Sequence, residues 1–273
     1  MAPDRNAIAR ARAALLCAAL LVLQGCSYIA ARVGSPAPRN VDVNSVPDAM
    51  PRNEPRSRYG NPDTYIVNGT RYFVLKDSRT FVEDGIASWY GKDFHGRRTS
   101  NGETYDMYGM TAAHKTLPLP TYVEVTNLAN GRKVIVRVND RGPFHENRII
   151  DLTYTAAAKL DILGAGTGLV QVRAIDPAHY RPEGAPVAVS APAGDSPGFY
   201  IQIGAFSKRI NAESLRDRLG PFGSFLVGIS EALIDGKTWY RVRIGPIHEV
   251  DAADHIVDSL KTFGILNPQI VVD

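Results

Sequence analysis

Apolar residues fall along this chain in distinct patterns. From Ala13 to Leu23 they run unbroken, and from Ser27 to Asn61 they lose all period among Pro, Asn, Arg and Ser. Thr64 to Leu75 then reads T-Y-I-V-N-G-T-R-Y-F-V-L, two short β runs joined at Asn68-Gly69, a dipeptide suited to a tight hairpin. Between residues 85 and 176, short apolar runs are separated by Gly, Asn and Pro turns. Tyr122 to Thr126 alternates, Asn130-Gly131 turns, and Lys133 to Val138 alternates again, which predicts an antiparallel hairpin inside a small closed β structure. Asp151 to Leu160 breaks that period with an Ala-rich helix capped at Thr153, and Leu169 to Ile175 returns to a strand.

Residues 177–197 are Pro, Ala, Gly and Ser with little to bury, the composition of a linker. Beyond it, strands are predicted at Phe199 to Gly204, Ser224 to Ser230, Thr238 to Ile244 and Pro268 to Val272, with helices at Ala212 to Leu219 and Val250 to Phe263. This β-α-β-β-α-β order implies an antiparallel sheet backed by helices.

The chain has 273 residues, more than one typical domain, and its 44% apolar and 22% charged content describes a core-forming protein of two modest domains. The resulting organisation is 1–25 signal, 26–61 tether, 62–84 short β lead-in, 85–176 β domain, 177–197 linker and 198–273 α+β domain. A formal charge of +3 is compatible with an anionic polymer or headgroup surface, while no block of like charge marks a nucleic-acid arm.

Arg5, Arg10 and Arg12 precede the apolar run, which is too short to span a bilayer stably and so reads as a cleaved export signal. It closes on Leu23-Gln24-Gly25-Cys26, as a bacterial lipobox does. Cys17 leaves with the signal, so the mature chain keeps Cys26 alone and forms no internal disulfide. A lone cysteine at the first mature position makes better sense as a lipid anchor than as an unpaired thiol. Ser27 rather than Asp after it resembles Gram-negative lipoproteins sent to the outer membrane, with the active part facing the periplasm.

Candidate chemistry concentrates between Ala87 and Phe144. Glycosidic cleavage needs a proton for the leaving oxygen and a negative group near an oxocarbenium-like centre, which is why carboxyls dominate such sites. Glu103 sits in Ser100-Asn101-Gly102-Glu103, a turn that presents a carboxyl at a rim, although a lone N-G-E by itself reads as a surface glutamate. Asp140 follows the strand ending at Val138. There it stabilises positive charge, or serves as a turn oxygen or a partner of Arg141. Thr99, Ser100, Asn101, Tyr105, Asn139 and Arg141 are candidates to line the cleft and bind sugar. Trp89 and Tyr90 read as core. His114 has no cysteine or close carboxylate spacing around it that would make a zinc site, and neither metal nor cofactor is expected.

In the C-terminal domain, alternation puts Tyr200, Gln202, Gly204 and Phe206 on one face of the first strand, and Arg241 and Arg243 opposite Val242 and Ile244 on another. The apolar set needs the helices, which leaves the arginines on an open face that is either a ligand surface or merely solvated.

The motifs N-G-E-x-Y-D-M, T-A-A-H-x-T-L-P and N-D-R-G-P-F, in that order, resemble the double-psi β-barrel domain of the rare lipoprotein A family, and residues 198–273 resemble a SPOR domain. The resemblance implies a septal lytic transglycosylase. It would cleave the MurNAc-GlcNAc bonds of peptide-free glycan strands endolytically and leave 1,6-anhydroMurNAc ends. By resemblance Glu103 is the general acid and later base, Asp140 its essential partner, and His114 an orienting or substrate-binding member of the site. The open SPOR face would meet peptide-free glycan. Partners implied are glycan strands, the membrane through Cys26, and divisome or amidase-pathway proteins. Since some family members do not cleave, a non-catalytic septal glycan-binding lipoprotein stays open, as does an inverting hydrolase using the two carboxyls with a bound water.

Overall fold

The structure, a computed structural model, describes residues 41–145, 147–181, 198–220, 222 and 225–272. The signal, Cys26, the first part of the tether and residues 182–197 of the linker lie outside the described residues.

Strands β1 (Thr64–Val67) and β2 (Thr70–Phe73) pair antiparallel around Asn68 (φ 50) and Gly69 (φ 79), the left-handed turn that an Asn-Gly pair accepts at little cost. The β domain contains β3 (Val82–Trp89), β4 (Thr111–His114), β5 (Thr121–Asn127), β6 (Lys133–Asp140), β7 (Arg148–Leu152) and β8 (Thr167–Ala174). They close into a barrel in the order β3-β7-β4-β6-β5-β8, with β3–β7 and β4–β6 parallel. The predicted hairpin is β5–β6. Its inward residues, Val123, Val125, Val134, Val136 and Val138, meet Ile150, Leu152, Val170 and Val172 in one buried core. Helix α1 (Tyr154–Leu160) adds Ala156, Ala157 and Leu160 to it. Thr153 takes the N-cap position, but its hydroxyl donates to Gly109 O instead of capping the helix.

Residues 41–61, read above as part of a tether, lie along the barrel as a strap. Asp48 accepts from Ile135 N at 2.9 Å and from Lys159 Nζ at 2.7 Å. Asn61 exchanges hydrogen bonds with the backbone of Leu119 at 2.8 Å each way. The strap shows no apolar period because polar groups do most of the holding, with only Val46 and Ala49 packed on the barrel core.

A one-residue irregularity matters more than any regular pairing. Ala112 pairs with Val138, yet Ala113 pairs with Asp140, so β6 carries one extra residue opposite β4. Such a bulge lets successive side chains leave on the same face.

The C-terminal domain contains β9 (Phe199–Phe206), α2 (Arg209–Leu219), β10 (Val227–Ile234), β11 (Lys237–Ile247), α3 (Val250–Lys261) and β12 (Gln269–Val272), with sheet order β10-β11-β9-β12. Phe199, Ile201, Val242 and Ile244 pack beneath Ala212, Leu215, Val257 and Leu260 of the helices. A second bulge falls here: Arg243 pairs with Gln202 and Val242 with Gly204, leaving Ile203 as the extra residue. Strict alternation therefore fails. Tyr200 and Gln202 share the open face with Arg241 and Arg243, as expected, but Gly204 and Phe206 turn to the helix side and Ala205 replaces them. A Cβ on Gly204 would stand 2.8 Å from Phe206 Cε2 and 3.2 Å from Leu215 Cδ2. Gly204→Val should accordingly lower stability by about 1–3 kcal/mol through overpacking, measured by urea denaturation, whereas Gln202→Ala should leave it near that of the parent.

Candidate active site

The bulge at the end of β6 aims Arg137, Asn139 and Asp140 at one turn, Thr99 to Glu103. That turn is closed locally. Gly102 (φ +91) donates its N–H to Thr99 O at 2.9 Å, and Asn101 Oδ1 accepts from Thr99 Oγ1 at 2.6 Å and Glu103 N at 3.1 Å. It is then pinned from both ends. Ser100 donates its N–H at 2.7 Å and its hydroxyl at 2.6 Å to Asp140 Oδ1, which also accepts from Arg141 N at 2.8 Å. Asn139 Nδ2 donates to Glu103 Oε2 at 2.9 Å, and Arg137 NH1 donates to both Glu103 oxygens at 2.9 and 2.8 Å.

Arg137 does not serve Glu103 alone. Its Nε and NH2 donate at 3.1 and 2.8 Å to Glu54 of the strap, whose carboxylate also accepts from the Tyr122 hydroxyl. One guanidinium thus bridges two carboxylates. Burial pushes the Glu103 carboxyl upward, but the hydrogen bonds from Arg137 and Asn139 outweigh it and hold it below the ordinary glutamate value. The Arg137 hydrogen bond holds Glu54 down from 4.5 to about 2.

The other predicted residues divide. Thr99 and Asn101 are buried and shape the turn, so they support the site without lining it. Tyr105, 2% exposed, stacks on Tyr90 with ring centroids 4.2 Å apart and donates to Tyr90 O, which makes it core. Asn139, at 3% exposure, acts on Glu103 from beneath. Arg141 spends its nitrogens on the carbonyls of Gly60, His114 and Leu117 and on Asn61 Oδ1, and so ties the strap to the barrel. Ser100 remains at the surface of the cleft. His114 is buried with its ring edge-on to Phe81. Its Nδ1 accepts from Thr116 N and Leu117 N at 3.2 and 3.1 Å, and its Nε2 lies 3.4 Å from Glu83 Oε2. Burial lowers its pKa, with Glu83 opposing in part. The ring thus faces away from both catalytic candidates and fixes the loop after β4, a placement that the motif alone does not convey.

Beside Ser100 and Arg141 opens a cavity of about 320 Å³, walled by Pro62, Tyr65 and Phe144. Tyr65 stacks on Tyr72 at 5.1 Å, so the β1–β2 hairpin supplies one wall. Among the described residues no cluster of His, Cys, Asp or Glu is arranged to hold a metal ion.

Arg137 and Glu54 stand outside the sequence motifs. Arg137 occupies the outward series of β6, a signal the alternation did carry. Glu54 stands in a stretch without pattern, and nothing local marks it.

Glu54 has an ordinary value of 4.5 and a folded value near 2, so its contribution to stability is present above the ordinary value and is lost as pH falls from about 4.5 toward 2. Glu54→Gln should flatten that part of the acid-unfolding curve, followed by circular dichroism.

Residues 82–173 match the family model described as lytic transglycolase, and residues 195–271 match the SPOR domain. The chain is 39% identical over 283 residues to the endolytic peptidoglycan transglycosylase RlpA of Pseudomonas aeruginosa, across 85% of this chain and 82% of that one. To the protein of the same name from Vibrio cholerae it is 41% identical over 252 residues, covering 90% and 91%. The crystal structure of the RlpA SPOR domain from Pseudomonas aeruginosa aligns with 32% identity and a TM-score of 0.26, over 27% of this chain and 97% of that domain.

Proposed function

Because the chain belongs to the RlpA family, we propose that it is an endolytic peptidoglycan transglycosylase whose barrel cuts glycan strands that its SPOR domain holds. The observation that carries this reading is the turn bearing Glu103 docked onto Arg137, Asn139 and Asp140 on one outer face of the barrel. Negative groups gathered there would stabilise the oxocarbenium-like centre that forms as the glycosidic bond breaks.

The roles are assigned by environment. Asp140, fixed by three donors on one oxygen, faces the developing charge at C1. Glu103, ion-paired with Arg137 and with its pKa lowered, suits the same electrostatic task in the resting site better than the proton donation expected of it from sequence. Ser100 and the cavity walled by Tyr65 and Phe144 would bind sugar. In the absence of an attacking water, the C6 hydroxyl of the same sugar closes on C1, and the product ends in a 1,6-anhydro ring.

Strands without stem peptides are the substrate proposed. The open SPOR face supports this: Tyr200, Gln202, Arg241 and Arg243 lie together, with the Arg243 guanidinium 5.9 Å from the Tyr200 ring centroid. A lipid on Cys26, an outer-membrane location facing the periplasm and enrichment at the septum complete the proposal. The lipobox supports the lipid, Ser27 the outer membrane, and the SPOR domain the septum.

The test is mass spectrometry of peptide-free strands incubated with the chain from Ser27 onward. The wild type should release 1,6-anhydro ends, and Asp140→Asn should slow release by about 100-fold or more, the size typical of losing transition-state charge stabilisation. Reducing ends would mean hydrolysis. Strands that are bound but intact would leave a glycan-binding protein.

A further inference from the structure

Cleavage needs a proton for the leaving oxygen, and Glu103 is occupied by Arg137 and Asn139. Another carboxyl on the same face has no role so far. Ser88 of β3 pairs with Asp151 of β7, Asp151 with Ala113 of β4, and Ala113 with Asp140 of β6. Residues directly opposite one another share a face, so these side chains form a row across the outside of the barrel. Their neighbours Ala87, Leu152, Ala112 and Val138 point into the core. Asp151 and Asp140 are thus two strands apart, about 10 Å between Cα atoms at ordinary strand spacing, with Ala113 between them in the row and Gly142 packed against its methyl.

The stacked tyrosines sense the same arrangement. Burial raises the pKa of Tyr90 and Tyr105, and the charges of both Asp140 and Asp151 raise them further. Asp151 itself is partly exposed, and Ser88 Oγ donates to its Oδ1, which leaves Oδ2 to carry a proton.

We propose that Asp151 is the proton donor of the cleavage, working across Ala113 from Asp140; this rests on the transglycosylase reading above. The proton on Oδ2 passes to the glycosidic oxygen as the C1–O bond breaks, and the bonding pair stays with that oxygen. The C6 hydroxyl then bonds to C1 and returns its proton to Asp151. Nothing is oxidised or reduced and no water is consumed.

The surroundings agree with this assignment. Burial pushes Asp151 above the ordinary carboxyl value, and the Ser88 hydrogen bond and the charges of Arg148, Lys115 and His145 offset this only in part. Tyr90 and Tyr105 are titratable neighbours as well, and Asp140 acts on both tyrosines too. A carboxyl held above its ordinary value suits general-acid catalysis better than one held below it.

The experiment is a set of pH–rate profiles for release of cleaved ends from peptide-free strands. Wild type should lose rate on the alkaline side as Asp151 ionises. Asp151→Asn should be slower by about 100-fold or more at every pH, the usual scale of a general acid, with its unfolding temperature and strand binding retained. Ser88→Ala removes a donor that favours the charged form, so its alkaline limb should move to higher pH. An Asp151→Asn protein that cuts at the parental rate overturns the proposal. So does an alkaline limb unmoved by Ser88→Ala but shifted by Arg137→Met, which would return the proton to Glu103. If the wild type binds strands and cuts none, the transglycosylase reading itself fails and takes this proposal with it.

Discussion

At the end of β6 the chain uses Asn139 and Asp140 where β4 uses Ala113 alone. In regular pairing, consecutive residues leave a strand on opposite faces, and one of these two would enter the barrel core. The bulge brings them to the same face, where Asn139 reaches Glu103 and Asp140 reaches Ser100. The turn between Thr99 and Glu103 is consequently held at both its ends by adjacent residues of one strand. Closure of the barrel supplies the rigid base for this. Val134, Val136 and Val138 are fixed inward by the core, so the residues that follow them have little freedom to drift.

The site also depends on chain that the barrel does not contain. Glu54 of the strap takes two nitrogens of Arg137, leaving the third for Glu103. A guanidinium has a planar fork suited to such division, and an ammonium group would not orient both carboxylates. Breaking a partly buried pair is costly because it leaves its partner uncompensated. Arg141 works the other way, from the barrel toward the strap, through Gly60 and Asn61. The two arginines couple the placement of residues 41–61 to the geometry of the cleft.

Much of this fold is legible in the sequence, and the portions that are not share a cause. Periodicity finds β5, β6 and the C-terminal β-α-β-β-α-β order because those elements bury one face each. It also finds the Asn68-Gly69 hairpin. It fails at bulges, where a single extra residue reverses every side chain beyond it: Gly204 and Phe206 were placed with Gln202 by alternation and lie on the opposite face. It fails again for the strap, since Asp48, Glu54 and Asn61 hold to the barrel through polar contacts that leave no apolar period. Of the site, the motif residues Glu103, Asp140 and Asn139 do converge. The ring of His114 does not, because its strand turns it into the interior beside Phe81 and Glu83.

A reaction that both donates a proton and shelters a positive centre needs carboxyls that differ in charge at the same pH, and identical side chains can differ only through their surroundings. The barrel provides such a difference along its outer face. Glu103 sits on a partly exposed turn against a guanidinium, which favours the ionised form. Asp151 lies in the sheet surface among Tyr90, Tyr105 and Ser88, where burial favours the neutral form despite nearby cations. The two carboxyls thus differ because Glu103 has a guanidinium and an amide donating to it while Asp151 has one hydroxyl donor and deeper burial. Ala113, with no side chain beyond a methyl, stands between Asp140 and Asp151 in the row and lets Gly142 pack against it.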